Sequence, residues 1–147
     1  MTNDPSPELP FGTALALAQR TLTAPLIAIL ADEDIEMPAW FTLNALGLRG
    51  SAPVPILAGL LRPNGLDEDQ AGRLFASLSA AGLVEQVDGG VSLTPSGRSR
   101  YEALRDRITA AGSRLFAAFE PERVEDARRL LQQIAESDPQ ELVARVV

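Results

Sequence analysis

The densest group of side chains with acid or base chemistry lies in one short stretch, Asp32-Glu33-Asp34-Ile35-Glu36. Two carboxylic acids can serve as general acid and general base when their surroundings separate their pKa values. Here four carboxylates crowd into five residues without an apolar wall that would desolvate one of them alone. We therefore interpret the stretch as a solvated connection between helices.

Three residue types that carry much of enzyme chemistry are missing. The 147 residues contain no Cys, no His and no Lys, and all 13 basic residues are Arg. This excludes disulfides, thiol nucleophiles, imidazole bases, Schiff-base lysines and metal sites built from thiolate or imidazole. The remaining Tyr101, hydroxyl residues and carboxylates form no catalytic set. The sequence thus predicts no catalytic residue, no metal site and no cofactor.

The net charge of −7 bears on the choice of partner. An acidic chain repels phosphate at long range, whereas a nucleic-acid-binding domain usually carries a basic face. Residues 1–10 lack the basic start and apolar run of a signal peptide. We expect the apolar run 22–30, which Pro25 interrupts, to be too short to cross a membrane. These features predict a cytoplasmic protein without a membrane partner.

Residues 65–98 predict a helix, a tight turn, a β-hairpin and a second helix in succession. Asp67 can cap the first helix with its side-chain oxygen. Alternation of apolar and polar residues predicts strands at 84–87 and 91–94, and Asp88-Gly89-Gly90 between them suits a hairpin turn. Four leucines at near-helical spacing would form one buried stripe: Leu66, Leu74, Leu78 and Leu83.

Helical periodicity also predicts the elements on either side. The segments are 11–31, 38–48, 54–61, 95–120, a helix that starts at Pro121, and one or two turns at 141–147. Residues 50–53 are interpreted as a linker and 62–65 as a turn. The segment 11–31 is apolar nearly all round, so it needs cover on several sides, which a second subunit would most easily provide. We expect Pro25 to kink or split it.

Parts of the chain resemble the MarR family of winged-helix regulators. The resemblance rests on residues 66–74, on Leu78, on Ala81-Gly82-Leu83-Val84-Glu85 and on Leu93-Thr94-Pro95-Ser96-Gly97-Arg98. Residues 37–46 are similar to the second helix of the family. The resemblance implies a mainly α fold, a winged helix-turn-helix with a small β-hairpin wing and N- and C-terminal dimerisation helices. The implied division is a disordered tail (1–10), an N-terminal dimerisation helix (11–36), the winged helix-turn-helix (37–98) and C-terminal dimerisation helices (99–147).

The resemblance makes the helix after Asp67 the DNA recognition helix. Gln70, Arg73 and Ser77 share the face opposite the leucine stripe, where they would meet base edges and phosphates. Arg98 and Arg100 would contact phosphate, although solvent exposure or pairing with Glu102 is an open alternative.

Two features depart from the pattern of the family. Acidic residues at 67–69 occupy the start of the recognition helix, where phosphate would approach. The hairpin is short and carries no cation, whereas the wing of the family usually inserts an Arg into the minor groove.

Family members often hold a small aromatic acid between the dimerisation helices and the winged domain. The residues we expect to bind such a ligand are Arg20, Trp40, Phe41 and Arg49, because an Arg facing an aromatic wall suits a carboxylate. In the alternative, Trp40 and Phe41 belong to the core and both arginines are solvated.

Two hypotheses follow. The first is a MarR-like homodimeric regulator of transcription that binds double-stranded DNA and is released by a small aromatic ligand. The second is a MarR-like protein that has lost DNA binding and acts as a small-molecule-binding or partner-binding protein, or as an unusual enzyme. The charge on the face of the recognition helix distinguishes them.

Overall fold

The computed structural model describes residues 7–146, which form helices α1–α7 and strands β1–β3. In chain order the elements are α1 (Phe11–Asp32), α2 (Met37–Arg49), β1 (Ser51–Ala52), α3 (Val54–Leu61), α4 (Glu68–Ala80), β2 (Val84–Val87), β3 (Gly90–Leu93), α5 (Pro95–Phe116), α6 (Pro121–Glu136) and α7 (Pro139–Val146). A 3₁₀ turn over Arg62–Asn64 joins α3 to α4. The predicted mainly α fold with a small hairpin is confirmed. Of the predicted tail, residues 1–6 lie outside the described part of the chain, and residues 7–10 are exposed without helix or strand.

The chain forms two compact units, one ending at Thr109 and the other beginning at Ala110. The first contains α1 to α4, the sheet and most of α5. The second contains the end of α5 with α6 and α7.

The sheet has three antiparallel strands in the order β1-β3-β2. Val87 pairs with Gly90, so the hairpin turn is Asp88-Gly89, and Gly89 supplies the positive φ of 83° that the turn requires. The predicted linker 50–53 is wrong in part, because Ser51 and Ala52 form β1 against β3. Gly90, predicted in the turn, is the first residue of β3.

The core of the first unit is apolar and lies between α2, α3, α4, the sheet and α5. Leu43 and Leu46 of α2 are fully buried, whereas Leu48 is 74% exposed. On α4 the buried residues are Ala71, Phe75 and Leu78. The remaining leucines of the predicted stripe, Leu66, Leu74 and Leu83, are partly buried at the edge of this core.

Thr94 connects the hairpin to the helix that follows it. Its hydroxyl donates to the backbone oxygen of Gly82 and accepts a hydrogen bond of 2.9 Å from the backbone N–H of Gly97. The second bond caps the start of α5. A single side chain thereby fixes the end of α4 and the start of α5 to one another.

Helix α1 runs unbroken through Pro25, so the predicted split is not present. An 18-residue window within its 22 residues has a mean hydropathy of 1.5, which makes the helix long and apolar enough to cross a membrane by length and composition alone. The expectation considered only the run 22–30 and left out the rest of this helix, so it underestimated the length of the apolar segment. Only 6% of its apolar window is buried in the single chain.

The second unit also exposes apolar side chains. On α6 and α7 the exposed residues are Leu130, Leu131, Ile134, Leu142, Val143 and Val146. The polar side of α6 carries an ion-pair cluster, in which Glu125 contacts Arg128 at 2.7 Å and Arg129 at 3.2 Å. The predicted helix at 95–120 ends at Phe116. Val147 lies outside the described residues.

Candidate nucleic-acid interface

Helix α4 begins with a reciprocal capping box. Asp67 Oδ1 accepts a hydrogen bond of 2.8 Å from the backbone N–H of Gln70, and Gln70 Oε1 accepts one of 2.9 Å from the backbone N–H of Asp67. The box satisfies two donors that a helix start leaves without partners. Gln70 was predicted to meet base edges, and glutamine pairs best with adenine, to which it offers one donor and one acceptor. Its carbonyl oxygen already accepts the capping hydrogen bond, so a bidentate pair with adenine would share this oxygen with the cap.

Arg73 and Ser77 occupy the outer face of α4. Both are exposed, and they stand one helical turn apart. The opposite face is anchored by Ala71, Phe75 and Leu78 in the core. Within residues 7–146 Arg73 has no ion-pair partner, so its guanidinium is available to an external acceptor.

The charge around this face is acidic. Residues 51–94 contain two arginines and five carboxylates, a net charge of −3. Glu68 and Asp69 lie in the first turn of α4, where they suit the helix dipole. Arg62 faces Glu68 at 3.9 Å, with side chains 71% and 84% exposed, so this contact contributes little. Arg73 is therefore the main cation that this face offers to phosphate or a base.

The hairpin adds no positive charge. Glu85, Gln86, Val87 and Asp88 are all exposed along β2 and its turn. A contact in the minor groove depends on an inserted cation, because the groove carries negative potential. This wing therefore lacks the side chain for the usual contact.

The two arginines predicted at the start of α5 differ in their surroundings. Arg98 is exposed. Arg100 donates a hydrogen bond of 2.6 Å to the backbone oxygen of Glu33 and lies 3.5 Å from the Glu33 carboxylate. The alternative pairing of Arg100 with Glu102 is wrong, since Glu33 takes that place. Arg98 remains available to phosphate, whereas Arg100 serves to join α5 to the end of α1.

Arg107 strengthens the same junction. It pairs with the Glu33 carboxylate and contacts Asp32 at 3.0 Å, and these hydrogen bonds, the one to Glu33 foremost, raise the pKa of Arg107. Glu33 thus bridges two arginines of α5. The interpretation of residues 32–36 as a solvated connection is wrong for Glu33, whose partners lie about seventy residues away in sequence.

The residues predicted to bind an aromatic acid fall into two pairs. Trp40 is 6% exposed and stacks on Tyr101, with ring centroids 5.9 Å apart and an angle of 24°. Phe41 is half-buried against the core. Arg20 on α1 and Arg49 at the end of α2 are exposed, and neither forms a side-chain hydrogen bond or ion pair within the described chain. The structure brings the two aromatic residues to the core and leaves the two arginines at the surface.

Sequence reasoning missed a groove beside α4. It lies between α4 and the hairpin and has a volume of about 310 Å³. Small residues of α4 form one wall at helical spacing, which was the signal available in the sequence: Gly72, Ala76 and Ser79. Among residues 7–146 no group of three acidic residues is placed to hold a metal ion.

The fold of this chain is similar to that of several solved structures. No protein-family model and no curated protein matches the chain. The crystal structure of the Mycobacterium tuberculosis MarR family protein Rv2887 in complex with DNA superposes with a TM-score of 0.72 at 20% identity, covering 86% of this chain and 98% of that one.

Two further structures give the same result. NadR in complex with 4-hydroxyphenylacetate has a TM-score of 0.74 at 20% identity, covering 86% of this chain and 96% of that one. The reduced form of MarR from E. coli has a TM-score of 0.68 at 19% identity, covering 86% and 94%. Similarity at this level of identity establishes the fold and leaves the function to the site. The chain has the winged-helix fold of the MarR-family structures.

Proposed function

We propose that this chain is a homodimeric regulator of transcription that binds double-stranded DNA through α4. The observation that carries the proposal is the outer face of α4, where Arg73 and Ser77 are exposed while the opposite face is fixed in the core. The same fold is bound to DNA in the Rv2887 complex, which supports DNA binding by this chain.

In this proposal α4 enters the major groove. Arg73 donates to O6 and N7 of a guanine, the pairing that a guanidinium makes best. Ser77, one turn further along, contacts a neighbouring base or phosphate, and Arg98 contacts phosphate at the rim. Gln70 keeps its cap and offers its NH₂ group as a donor. Arg100 has a positioning role through Glu33 and does not reach the DNA.

The proposed dimer covers the apolar surface that the single chain exposes. Exposed apolar residues along α1 include Phe11 (58%), Leu17 (49%) and Ile27 (55%). A second copy buries such surface at a favourable free energy of about 25 cal/mol per Å².

A membrane is the less favourable way to cover α1, because crossing it would place Arg20 near the centre of the bilayer, at a cost of about 3 kcal/mol. A symmetric dimer presents two α4 helices to two half-sites, in the compartment that contains the DNA.

A small aromatic acid is the proposed releasing ligand. Support comes from the complexes of NadR with 4-hydroxyphenylacetate and of Rv2887 with salicylic acid. In this chain the partly exposed ring of Phe41, beside Trp40, offers an aromatic surface, and Arg20 and Arg49 are candidates to pair with the carboxylate. A ligand held there would change the separation of the two recognition helices.

One observation favours a second candidate function. The net charge of −3 on residues 51–94 and the hairpin without a cation suit a protein that has lost DNA binding and binds a small molecule or a protein partner.

Fluorescence anisotropy with DNA from its own promoter region, with nonspecific competitor at two salt concentrations, separates the two candidates. We expect binding that weakens with salt and that falls about tenfold or more in Arg73→Ala, since a bidentate pair with guanine contributes about 1–3 kcal/mol. Arg123→Ala, which removes an exposed Arg from α6, is the matched control and should bind as the native protein does. Salicylate added to the complex should release the DNA. A folded dimer that binds no DNA at low salt would establish the second candidate instead.

A further inference from the structure

The groove between α4 and the hairpin has the size and composition of a small-ligand site. Its volume of about 310 Å³ lies at the lower end of the range for ligand pockets, about 300–1,000 Å³. The walls are mostly apolar, with a few polar groups among the lining residues: Val54, Gly72, Phe75, Ala76, Ser79, Val84, Glu85, Gln86 and Val91.

The space exists because α4 carries small side chains on this side. Gly72 and Ala76 are one turn apart, and a Cβ at Gly72 would meet no atom within 4 Å. A glycine inside a helix costs about 1 kcal/mol relative to alanine. Neither backbone conformation nor close packing requires glycine at this position, so its effect on the fold is to keep the groove open.

The charge in the groove is negative. Glu85 is its one ionisable lining residue, and within residues 7–146 its carboxylate forms no ion pair. Phe75, which is 8% exposed, is the one aromatic residue among those that line the groove. A carboxylate and an aromatic residue lining the same groove are the combination that recognises ammonium groups with apolar substituents. An aromatic acid would be repelled by Glu85, so this groove differs in chemistry from the site proposed beside Trp40.

We propose that this groove binds an organic cation, with the apolar body of the ligand on Phe75 and the valines and its ammonium group beside Glu85. The net charge of −3 on residues 51–94 favours a cationic occupant over an anion or an acidic peptide. Since the ligand would lie between α4 and the hairpin, its binding would change their spacing and thereby the affinity for DNA. This effect on DNA binding rests on the proposed function, whereas binding of the cation does not.

The test uses the full chain without DNA and benzyltrimethylammonium as the probe. Methyl resonances in ¹H–¹³C NMR spectra report on Val54, Val84 and Val91 in the groove and on Leu104 in the core as the internal reference. We expect saturable shifts of the three valines and no shift of Leu104. The neutral isostere neopentylbenzene should bind more weakly and salicylate should not shift the valines.

Three variants locate the site. Glu85→Gln should weaken the cation about fivefold, the upper end for a partly exposed ion pair. Glu102→Gln removes an exposed carboxylate from α5, outside the groove, and should leave binding unchanged. Gly72→Leu should fill the groove and abolish the shifts, while the circular dichroism spectrum reports that the fold is retained.

Four results would overturn the proposal: no valine shifts with the cation, equal binding of the neutral isostere, equal weakening by both glutamate substitutions, or retained binding in a folded Gly72→Leu variant. Each is measured without DNA. A chain that binds the cation but no DNA would refute the proposed function and support this site. A chain that binds DNA but no cation would support the proposed function and refute this site.

Discussion

Replacing Gly72 with alanine should stabilise the protein. The substitution restores helix propensity inside α4, a gain of about 0.8–1.0 kcal/mol, and a Cβ at this position meets nothing within 4 Å. For a chain of this size that gain raises the melting temperature by about 2–4 °C. Urea unfolding followed by circular dichroism, at one fixed protomer concentration, measures the free energy of unfolding directly.

Gly47→Ala is the matched comparison, because it makes the same chemical change inside α2. There a Cβ would lie 2.6 Å from Tyr101 Cδ1, and Tyr101 is 2% exposed and stacked on Trp40. Overpacking of this kind costs about 1–3 kcal/mol, and the burial of the Tyr101 ring against Trp40 places the cost near the upper value. After the gain in propensity we expect a net loss of about 1–2 kcal/mol.

The two substitutions should thus have opposite signs. The circular dichroism signal at 222 nm, a marker of helix, would confirm that both variants retain the fold before denaturant is added. A loss of stability in Gly72→Ala as large as that in Gly47→Ala would refute the open groove beside α4. A gain in both would refute the packing of Tyr101 against α2.

Two further predictions concern charge. The hydrogen bond and ion pair from Arg128, with help from Arg129, lower the pKa of Glu125 to about 2. The stability that Glu125 gives α6 is therefore present above a pH of about 4.5 and is lost as pH falls towards 2, and the carboxyl ¹³C shift should titrate accordingly. In Arg128→Gln the pKa of Glu125 should rise towards the ordinary range, with Arg129 still holding it below that range. Asp69→Asn removes a negative charge from the first turn of α4 without changing the Asp67–Gln70 cap. The affinity for DNA should therefore rise about two- to fivefold at low salt. An unchanged affinity in the anisotropy assay would mean that this end of α4 does not face DNA.

Local sequence signals predicted most of the winged unit. Helix α3 has the predicted bounds, Val54–Leu61, because Pro53 precedes an unbroken apolar run and Arg62-Pro63 ends it. The cap at Asp67 was predicted from its residue type. Its partner Gln70 stands at capping-box spacing, but the sequence analysis interpreted Gln70 only as a DNA contact.

The features that the sequence did not predict depend on distant residues. Strand β1 is two residues long and shows no alternation of its own; it exists because Ser51 pairs with Ser92. Arg100 was expected at DNA, yet it donates to Glu33, which lies 67 positions earlier in the chain. No local pattern identifies such a pair, because the contact is created by the packing of α5 beside the end of α1.

The cations that remain for DNA also determine how its binding should respond to salt. With Arg100 engaged by Glu33 and Arg73 assigned to a guanine, each protomer of the proposed dimer offers Arg98 to phosphate, so the dimer would neutralise about two phosphates. The logarithm of the binding constant should then fall with the logarithm of salt concentration with a slope of about −1.8. Affinity would drop about 12-fold between 50 and 200 mM salt, far less than for proteins with six to ten phosphate contacts. Arg98→Ala should remove most of this slope, and an unchanged slope would place the DNA on another face of the molecule.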